Sequence, residues 1–402
     1  MHKFRIAWLP GDGIGPEVCA AARLVLDAAG LDAEYLHGDI GWEFWRKEGD
    51  ALPPRTLDLL SKTHCAFFGA ITSKPSADAA RELAPELQGQ GLVYRSPIIR
   101  LRQWLDLYLC LRPCHAFPGN PLNYREGIDI VVFRENTEGM YIGVEFPSVP
   151  NSFQAEMPRI PPDAAISIRS ITRQASRRIV EAAFQYAVKH RRRKVTAVHK
   201  ANVLRATCGL FLEEAQAVAA HYPQIRFEAA NVDAMCMWLL KNPENNDVIV
   251  TTNLFGDILS DLCAQLTGGM GFACSGNIGN TYAVFEPTHG SAPKYAGCNK
   301  VNPLAAILAA KMMVEWLGET AMARNIESAV AHVIAKGALR TYDMGGHTGT
   351  MEMAHGVAAL ISPHTPTEDL VNMRATVGQR IDTHGSKIEE LAGTGALDTQ
   401  GG

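Results

Sequence analysis

A basic excess is missing from this chain. Its 402 residues carry 38 lysines and arginines against 42 aspartates and glutamates, a formal net charge of −4. That removes the electrostatic case for a nucleic-acid partner, which needs a positive surface to displace counterions. No apolar run reaches the length a bilayer demands, so no membrane partner is expected. The strand-like opening, residues 4–9, is too short for a signal peptide and turns at once at Pro10-Gly11-Asp12-Gly13. Cysteine occurs nine times, yet there is no Cys-x-x-Cys pair and no Cys/His cluster at ligand spacing. Neither a disulfide framework nor a zinc site is expected, and reduced thiols imply a soluble, cytoplasmic protein. The one basic run, Arg191 to Lys194, follows a helical pattern and reads as solvated cations at a helix C-terminus.

What is present has the makeup of an α/β enzyme long enough for two domains. Short apolar runs at residues 6–9, 65–71, 128–133, 195–198, 227–230 and 248–250 predict strands. Helices are expected over 17–29 and 303–317. A further helix, capped by Thr172, places Ile179, Val180, Ala183, Phe184, Ala187 and Val188 on one apolar face. Interleaved strands and helices argue for α/β architecture. Residues 72–96, rich in Ala, Pro and Gly, predict a mobile loop near a site. Residues 145–163 hold five prolines and predict an arm or excursion.

The segment from Asn253 to Asp261 reads Asn-Leu-Phe-Gly-Asp-Ile-Leu-Ser-Asp and follows an apolar run. If a helix begins at Asn253, Asp257 and Asp261 share a face at i and i+4. Like charges there repel, and a hard divalent cation held by carboxylate oxygens would compensate. On the spacing alone, a solvated face carrying two acids is the plainer alternative. Gly11-Asp12-Gly13-Ile14-Gly15 follows the first strand, but its spacing is not Gly-x-Gly-x-x-Gly, and no convincing acidic residue closes a Rossmann unit at the usual distance. A tight turn bordering a ligand fits better. Arg95, Arg100, Arg102, Arg112 and Arg134 are the arginines of two neighbouring segments, and converging guanidinium forks suit a di- or tricarboxylate. Lys200 ends a buried strand and could act as a base. Gly268-Gly269 and the run from His289 to Pro293 are loops whose backbone can approach a nucleotide.

Together these segments resemble the β-decarboxylating dehydrogenases, the family of isocitrate, 3-isopropylmalate, homoisocitrate and tartrate dehydrogenases. Leu9 to Glu17 looks like the family's opening signature. Arg134 to Tyr141 looks like its Arg-Glu-Asn-[ST]-Glu-Gly-x-Tyr segment. Asn253 to Asp261 is similar to its Asn-x-x-Gly-Asp-x-x-Ser-Asp signature, and Phe285 to Asn302 to its nucleotide loop. The ordered resemblance covers residues 4–350. It implies a two-domain α/β fold with mixed sheets flanked by helices, not a standard Rossmann fold. A nucleotide-binding domain would comprise 1–107 and 268–402. A smaller dimerisation and metal domain would span 108–267, with an arm near 139–172.

By position, the resemblance implies Asp257 and Asp261 as Mg²⁺ or Mn²⁺ ligands, with Asp233 contributed across a homodimer. Arg102, Arg112 and Arg134 would grip the carboxylates of a malate core. Lys200, also contributed across the dimer, would assist removal of the hydroxyl proton, and Tyr141 would protonate the product carbanion. The implied reaction is NAD(P)-linked oxidative decarboxylation of a 3-substituted malate, a small carboxylate, to a 2-oxo acid and CO₂. A non-catalytic regulatory subunit would lose such positions, and all five of Tyr141, Lys200, Asp233, Asp257 and Asp261 are present.

The substrate-specifying segment is a hybrid. Arg95-Ser96 and the run from Leu105 to Pro113 look like NADP-dependent isocitrate dehydrogenases, whose serine and a nearby asparagine bind the distal carboxylate. Here Ile98 replaces that asparagine, and Ile98-Ile99 resemble the leucines that isopropylmalate enzymes set against an apolar branch. The reading leans to isocitrate, with 3-isopropylmalate, homoisocitrate, tartrate and malate as alternatives. For the cofactor, the resemblance implies contacts from Ile14, His289, Gly290, Ser291, Ala292, Lys294, Tyr295, Asn302 and Tyr342. Lys294-Tyr295 replace the ribose-binding aspartate of NAD enzymes, which favours NADP, with NAD possible. Gly346 and Asn242 stand where arginines would complete the phosphate pocket, and Lys241 and His347 are the nearby substitutes.

Overall fold

The computed structural model describes residues 2–156 and 158–361; the stretch 362–402 of the expected nucleotide-binding domain lies outside them. The chain divides into two compact units. One comprises the residues up to Arg100, Pro118–Pro121 and those from Met270 onward; the other comprises Leu101–Phe117 and Leu122–Gly269.

The described residues form strands β1 (Phe4–Gly11), β2 (Ala33–His37), β3 (Cys65–Ala70), β4 (Leu109–His115), β5 (Asp129–Glu135), β6 (Glu145–Phe146), β7 (Ile166–Ser167), β8 (Lys194–His199), β9 (Arg226–Asn231), β10 (Val248–Thr251), β11 (Cys274–Ile278) and β12 (Ala283–Pro287). In the first unit the order is β2-β1-β3-β12-β11, parallel except for the antiparallel pair β11/β12. In the second it is β4-β5-β10-β8-β9, parallel except for β4/β5. Mixed sheets flanked by helices are the expected fold class.

The central strands of the second unit are apolar because both faces are covered. Ile128, Ile130, Val132, Val198 and Ile249 pack on Leu259, Cys263 and Leu266 of the Asn253–Leu266 helix and on Met235 and Leu239 of the Val232–Lys241 helix. That packing fixes how both helices lie on the sheet. The Arg173–Lys189 helix starts where expected: the Thr172 hydroxyl accepts the Ala175 N–H at 3.1 Å. Five of its six expected apolar positions are buried. Val188, at 44 % exposed, is not; in the last turn the apolar stripe has run off the sheet.

Three expectations change. Residues 72–96 are more than a loop, since they include a helix at Ser76–Arg81. Ala79 of that helix and Leu83 just beyond it are buried with Trp42 and Trp45, a long-range contact that composition alone hides. Arg134 does not follow the third predicted strand but lies within it, in β5. β2, β4, β11 and β12 were not anticipated; β4 contains Arg112 and Pro113, polar or strand-averse residues that obscure its pattern. The proline-rich excursion carries the β6/β7 pair.

The turn after β1 confirms that its glycines are not a Rossmann fingerprint. Gly13 has φ +57°, and a Cβ there would sit 2.1 Å from the Ser291 carbonyl oxygen. The Ile14 N–H donates to that same oxygen at 2.8 Å. Glycine is needed for a close approach of two protein loops.

Candidate active site

The second unit gathers most of the expected acid, arginine and tyrosine positions at one place. The helix begins at Asn253, so Asp257 and Asp261 share a face as the spacing predicts. Gly256 is required beneath them: a Cβ would lie 2.6 Å from the Arg134 Cβ and Cγ. The helix thereby settles directly on the Arg134 stem.

Arg134 is 1 % exposed. Its Nη1 donates to Asp257 Oδ1 and its Nε to Asn253 Oδ1 at 2.9 Å, and its guanidinium lies 4.9 Å from the centre of the Tyr141 ring. The Tyr141 hydroxyl donates to Asp257 Oδ2. Arg112 spans both acids, with Nη1 3.0 Å from Asp261 Oδ1 and Nη2 3.6 Å from Asp257 Oδ1, while Nη1 also donates to Ser260 Oγ at 2.7 Å. The carboxylate repulsion anticipated from the i,i+4 spacing is thus offset in this chain by guanidinium groups from β4 and β5.

These contacts separate the two acids electrostatically. Burial raises Asp257, but Arg134, the Tyr141 hydroxyl, Arg112 and Arg102 outweigh it and hold the carboxyl below its ordinary value. Asp261 is raised by burial, against the pull of Arg112, with the Asp257 charge adding to the rise. Burial first, then the Asp257 hydrogen bond, raises Tyr141 above the ordinary phenol value, so it stays a protonated donor at neutral pH. Burial followed by the like charge of Arg102 depresses Arg134, which places Arg102 in the same electropositive group.

Two observations bear on what this group would hold. The Arg134 Nη2 is buried without a hydrogen-bond partner; an orphaned guanidinium donor costs free energy that an anionic ligand recovers. Asp257 and Asp261 offer oxygen donors only, and Asp261 is half exposed, a donor set matched to a hard divalent cation.

Lys200 and Asp233 form a separate feature, an ion pair at 2.7 Å. Lys200 follows β8 and Asp233 lies in the first turn of the Val232–Lys241 helix. Hydrogen bonding from Lys200 depresses the exposed Asp233 carboxyl. Among the described residues, no three histidines, cysteines or acids of one chain gather as a metal site. Arg100 leaves the predicted arginine cluster, because it pairs with Asp50. Ser96 and Ile98, half-buried, flank the start of the Pro97–Trp104 helix, and Arg95 is exposed.

In the first unit a cavity of about 250 Å³ is lined by Ile14, His289, Ala292, Tyr295, Asn302 and Tyr342, six of the nine expected cofactor residues. The His289 Nε2 is buried without a partner, and burial pushes the ring below its ordinary value, leaving it neutral. An orphaned imidazole nitrogen beside Ile14, Ala292 and the Tyr295 and Tyr342 rings fits a heteroaromatic ligand with ring nitrogens. Gly290, Ser291 and Lys294 do not line the cavity, whereas Lys300, Val301 and Asp343 do. The first two of these adjoin Asn302 within the loop the resemblance already marked. None of the described helices is long and apolar enough to cross a membrane.

Comparison with known proteins shows the family to which these segments belong. The profile of the isocitrate/isopropylmalate dehydrogenase family matches residues 5–357. The chain is 44 % identical over 358 residues to the 3-isopropylmalate dehydrogenase of Methanothermobacter thermautotrophicus, covering 89 % of this chain and 98 % of that one. It is 43 % identical over 356 residues to the isocitrate/homoisocitrate dehydrogenase of Thermus thermophilus, covering 88 % and 97 %. The crystal structure of isocitrate dehydrogenase from Methylococcus capsulatus matches with a TM-score of 0.79 at 41 % identity, covering 90 % of this chain and 99 % of that one.

Proposed function

The chain belongs to the isocitrate/isopropylmalate dehydrogenase family, and from that premise we propose that it oxidatively decarboxylates isocitrate with NADP⁺, as a homodimer with shared active sites. Family membership makes it a decarboxylating dehydrogenase of a 3-substituted malate, in a family that uses NAD(P) and a divalent metal. The observation that carries the catalytic reading is the Asp257–Arg134–Tyr141–Arg112–Asp261 group around an orphaned buried guanidinium donor.

In this reading Arg102, Arg112 and Arg134 bind the malate carboxylates. The fixed fork of Arg134, held by Asn253 and Asp257, sets the orientation before substrate arrives. Asp257 and Asp261, with Asp233 of the partner subunit, would hold Mg²⁺ or Mn²⁺, which when bound supplies Lewis-acid stabilisation of negative charge on the substrate oxygen. Lys200 of the partner subunit assists removal of the hydroxyl proton as the C2 hydride leaves. Tyr141, kept protonated by its surroundings, delivers a proton to the carbon that loses CO₂.

The dimer has a surface to support it. Met237, Trp238 and Leu240 of the Val232–Lys241 helix are 66, 45 and 48 % exposed, and Ile258 of the Asn253–Leu266 helix is 53 % exposed. Large apolar groups left uncovered on two neighbouring helices suit a subunit interface. Ile258→Asp is expected to shift the protein from dimer to monomer in light scattering and to cost activity with it. A monomeric wild type would remove the shared-site reading.

For the substrate, Ser96 and Arg95 supply polar groups for a third carboxylate. Ile98 supports the second reading, an alkylmalate such as 3-isopropylmalate, because a charged group against an apolar wall loses hydration without compensation. Steady-state kinetics with isocitrate, 3-isopropylmalate, homoisocitrate, tartrate and malate, each with both cofactors, decide between them. Ile98→Asn is expected to raise kcat/KM for isocitrate relative to 3-isopropylmalate by about 10-fold or more, as a hydrogen bond to a charged group allows. A wild type that ignores isocitrate and turns over an alkylmalate would replace the first reading with the second.

A further inference from the structure

We infer that Lys300 is the cation by which the nucleotide cavity selects NADP⁺, and that Lys294 is secondary to it. The inference rests on the NADP reading and assigns its charge to a residue that motif matching passes over.

The ammonium of Lys300 lies 3.9 Å from the centre of the Tyr342 ring and 5.7 Å from that of Tyr295. The two rings are 6.4 Å apart and inclined at 49°. All three side chains line the cavity. Lys294 lies 4.8 Å from the Tyr295 ring but is not among the lining residues. Both lysines belong to the chain's first unit, so these relations are internal to one compact body.

The aromatic faces do two things for Lys300. Each attracts the ammonium through its quadrupole, which limits where a long, flexible side chain can go. Neither neutralises it. Among the described residues no carboxylate lies within ion-pair distance of Lys300. The one acid among the described residues that line the cavity, Asp343, accepts from the Thr341 hydroxyl through Oδ1 and from Asn302 Nδ2 at 3.0 Å through Oδ2. An unneutralised, positioned cation at the wall of a cavity that accommodates a heteroaromatic ring is what a phosphate substituent on the adjoining ribose would pair with. Gly346, which stands where an arginine would be expected, has no room for one: its Cβ would lie 2.1 Å from the Arg340 carbonyl oxygen. Lys300 supplies the missing charge from within the cavity wall.

The test measures binding of 2′,5′-ADP and of 5′-AMP by calorimetry, alongside kcat/KM for NADP⁺ and NAD⁺, in wild type, Lys300→Met, Lys300→Arg and Lys294→Met. Wild type should bind 2′,5′-ADP more tightly than 5′-AMP. Lys300→Met should lower that affinity ratio by about 10-fold or more, the range of one charge-assisted contact. Lys294→Met should lower it less, and Lys300→Arg should keep most of it. Thermal melting checks that each variant is folded; if Lys300→Met fails to fold, the same comparison is made with Lys300→Gln. A wild type that binds both fragments equally overturns the NADP reading and this inference with it. A wild type that prefers 2′,5′-ADP, with a ratio as sensitive or more sensitive to Lys294→Met than to Lys300→Met, overturns the inference alone.

Discussion

Asp257→Asn is expected to lower kcat by about 10³-fold or more, since Lewis-acid stabilisation is worth several kcal/mol and each 1.36 kcal/mol is about a factor of ten. The asparagine is isosteric and keeps one carbonyl oxygen to accept from Arg134 or from Tyr141, which both now donate to Asp257. It lacks the charge that holds a cation and that draws Arg134 into place. The helix stays where it is, because its position depends on Leu259, Cys263 and Leu266 packing against the sheet. Stability should fall only by about 1–3 kcal/mol, the cost of a weakened, partly buried charged hydrogen bond. Mn²⁺ affinity, read by calorimetry in the absence of substrate, should fall together with kcat. Unchanged Mn²⁺ affinity in the variant, or full wild-type activity in excess chelator, would sink the metal assignment.

Mixing two dead proteins should restore activity. Lys200 and Asp233 are paired with each other at 2.7 Å, whereas Asp257 and Asp261 are engaged by Arg112 and Arg134 of the same chain. In the shared-site reading, each site takes the first pair from one subunit and the second set from the other. A Lys200→Met chain therefore still offers its own Asp257, and an Asp257→Asn chain still offers its Lys200. Their heterodimer has one complete site and one doubly defective one. Random reassociation of equal amounts should recover about a quarter of wild-type activity, from a background near zero, as two-fold symmetry dictates. Differently tagged chains show whether the heterodimer forms. Persistent inactivity of purified heterodimers would place Lys200 in its own chain's site.

Much of the fold was legible because the signals are local. Alternating apolar runs, the Thr172 cap and the i,i+4 carboxylates are properties of segments, and segments fold by their own period and capping. The same locality explains what was missed. β4 carries Arg112 and Pro113 and pairs with β5 through backbone groups that composition does not report. The helix at Ser76–Arg81 owes its place to Trp42 and Trp45, far back in the chain.

By itself, then, the sequence determined which residue types are available for chemistry, on which elements, and which family they resemble. Only the tertiary structure decided how they are used. Of the clustered arginines, Arg100 is taken by Asp50, Arg112 spans both aspartates, and Arg134 is buried with one donor unspent. Of the two lysines beside Tyr295, Lys300 reaches the cavity wall and Lys294 does not. The physical reason is range. Periodicity and capping act over a few residues of one segment, whereas an ion pair, a cation–π contact or a desolvation penalty depends on distances between residues that only folding brings together.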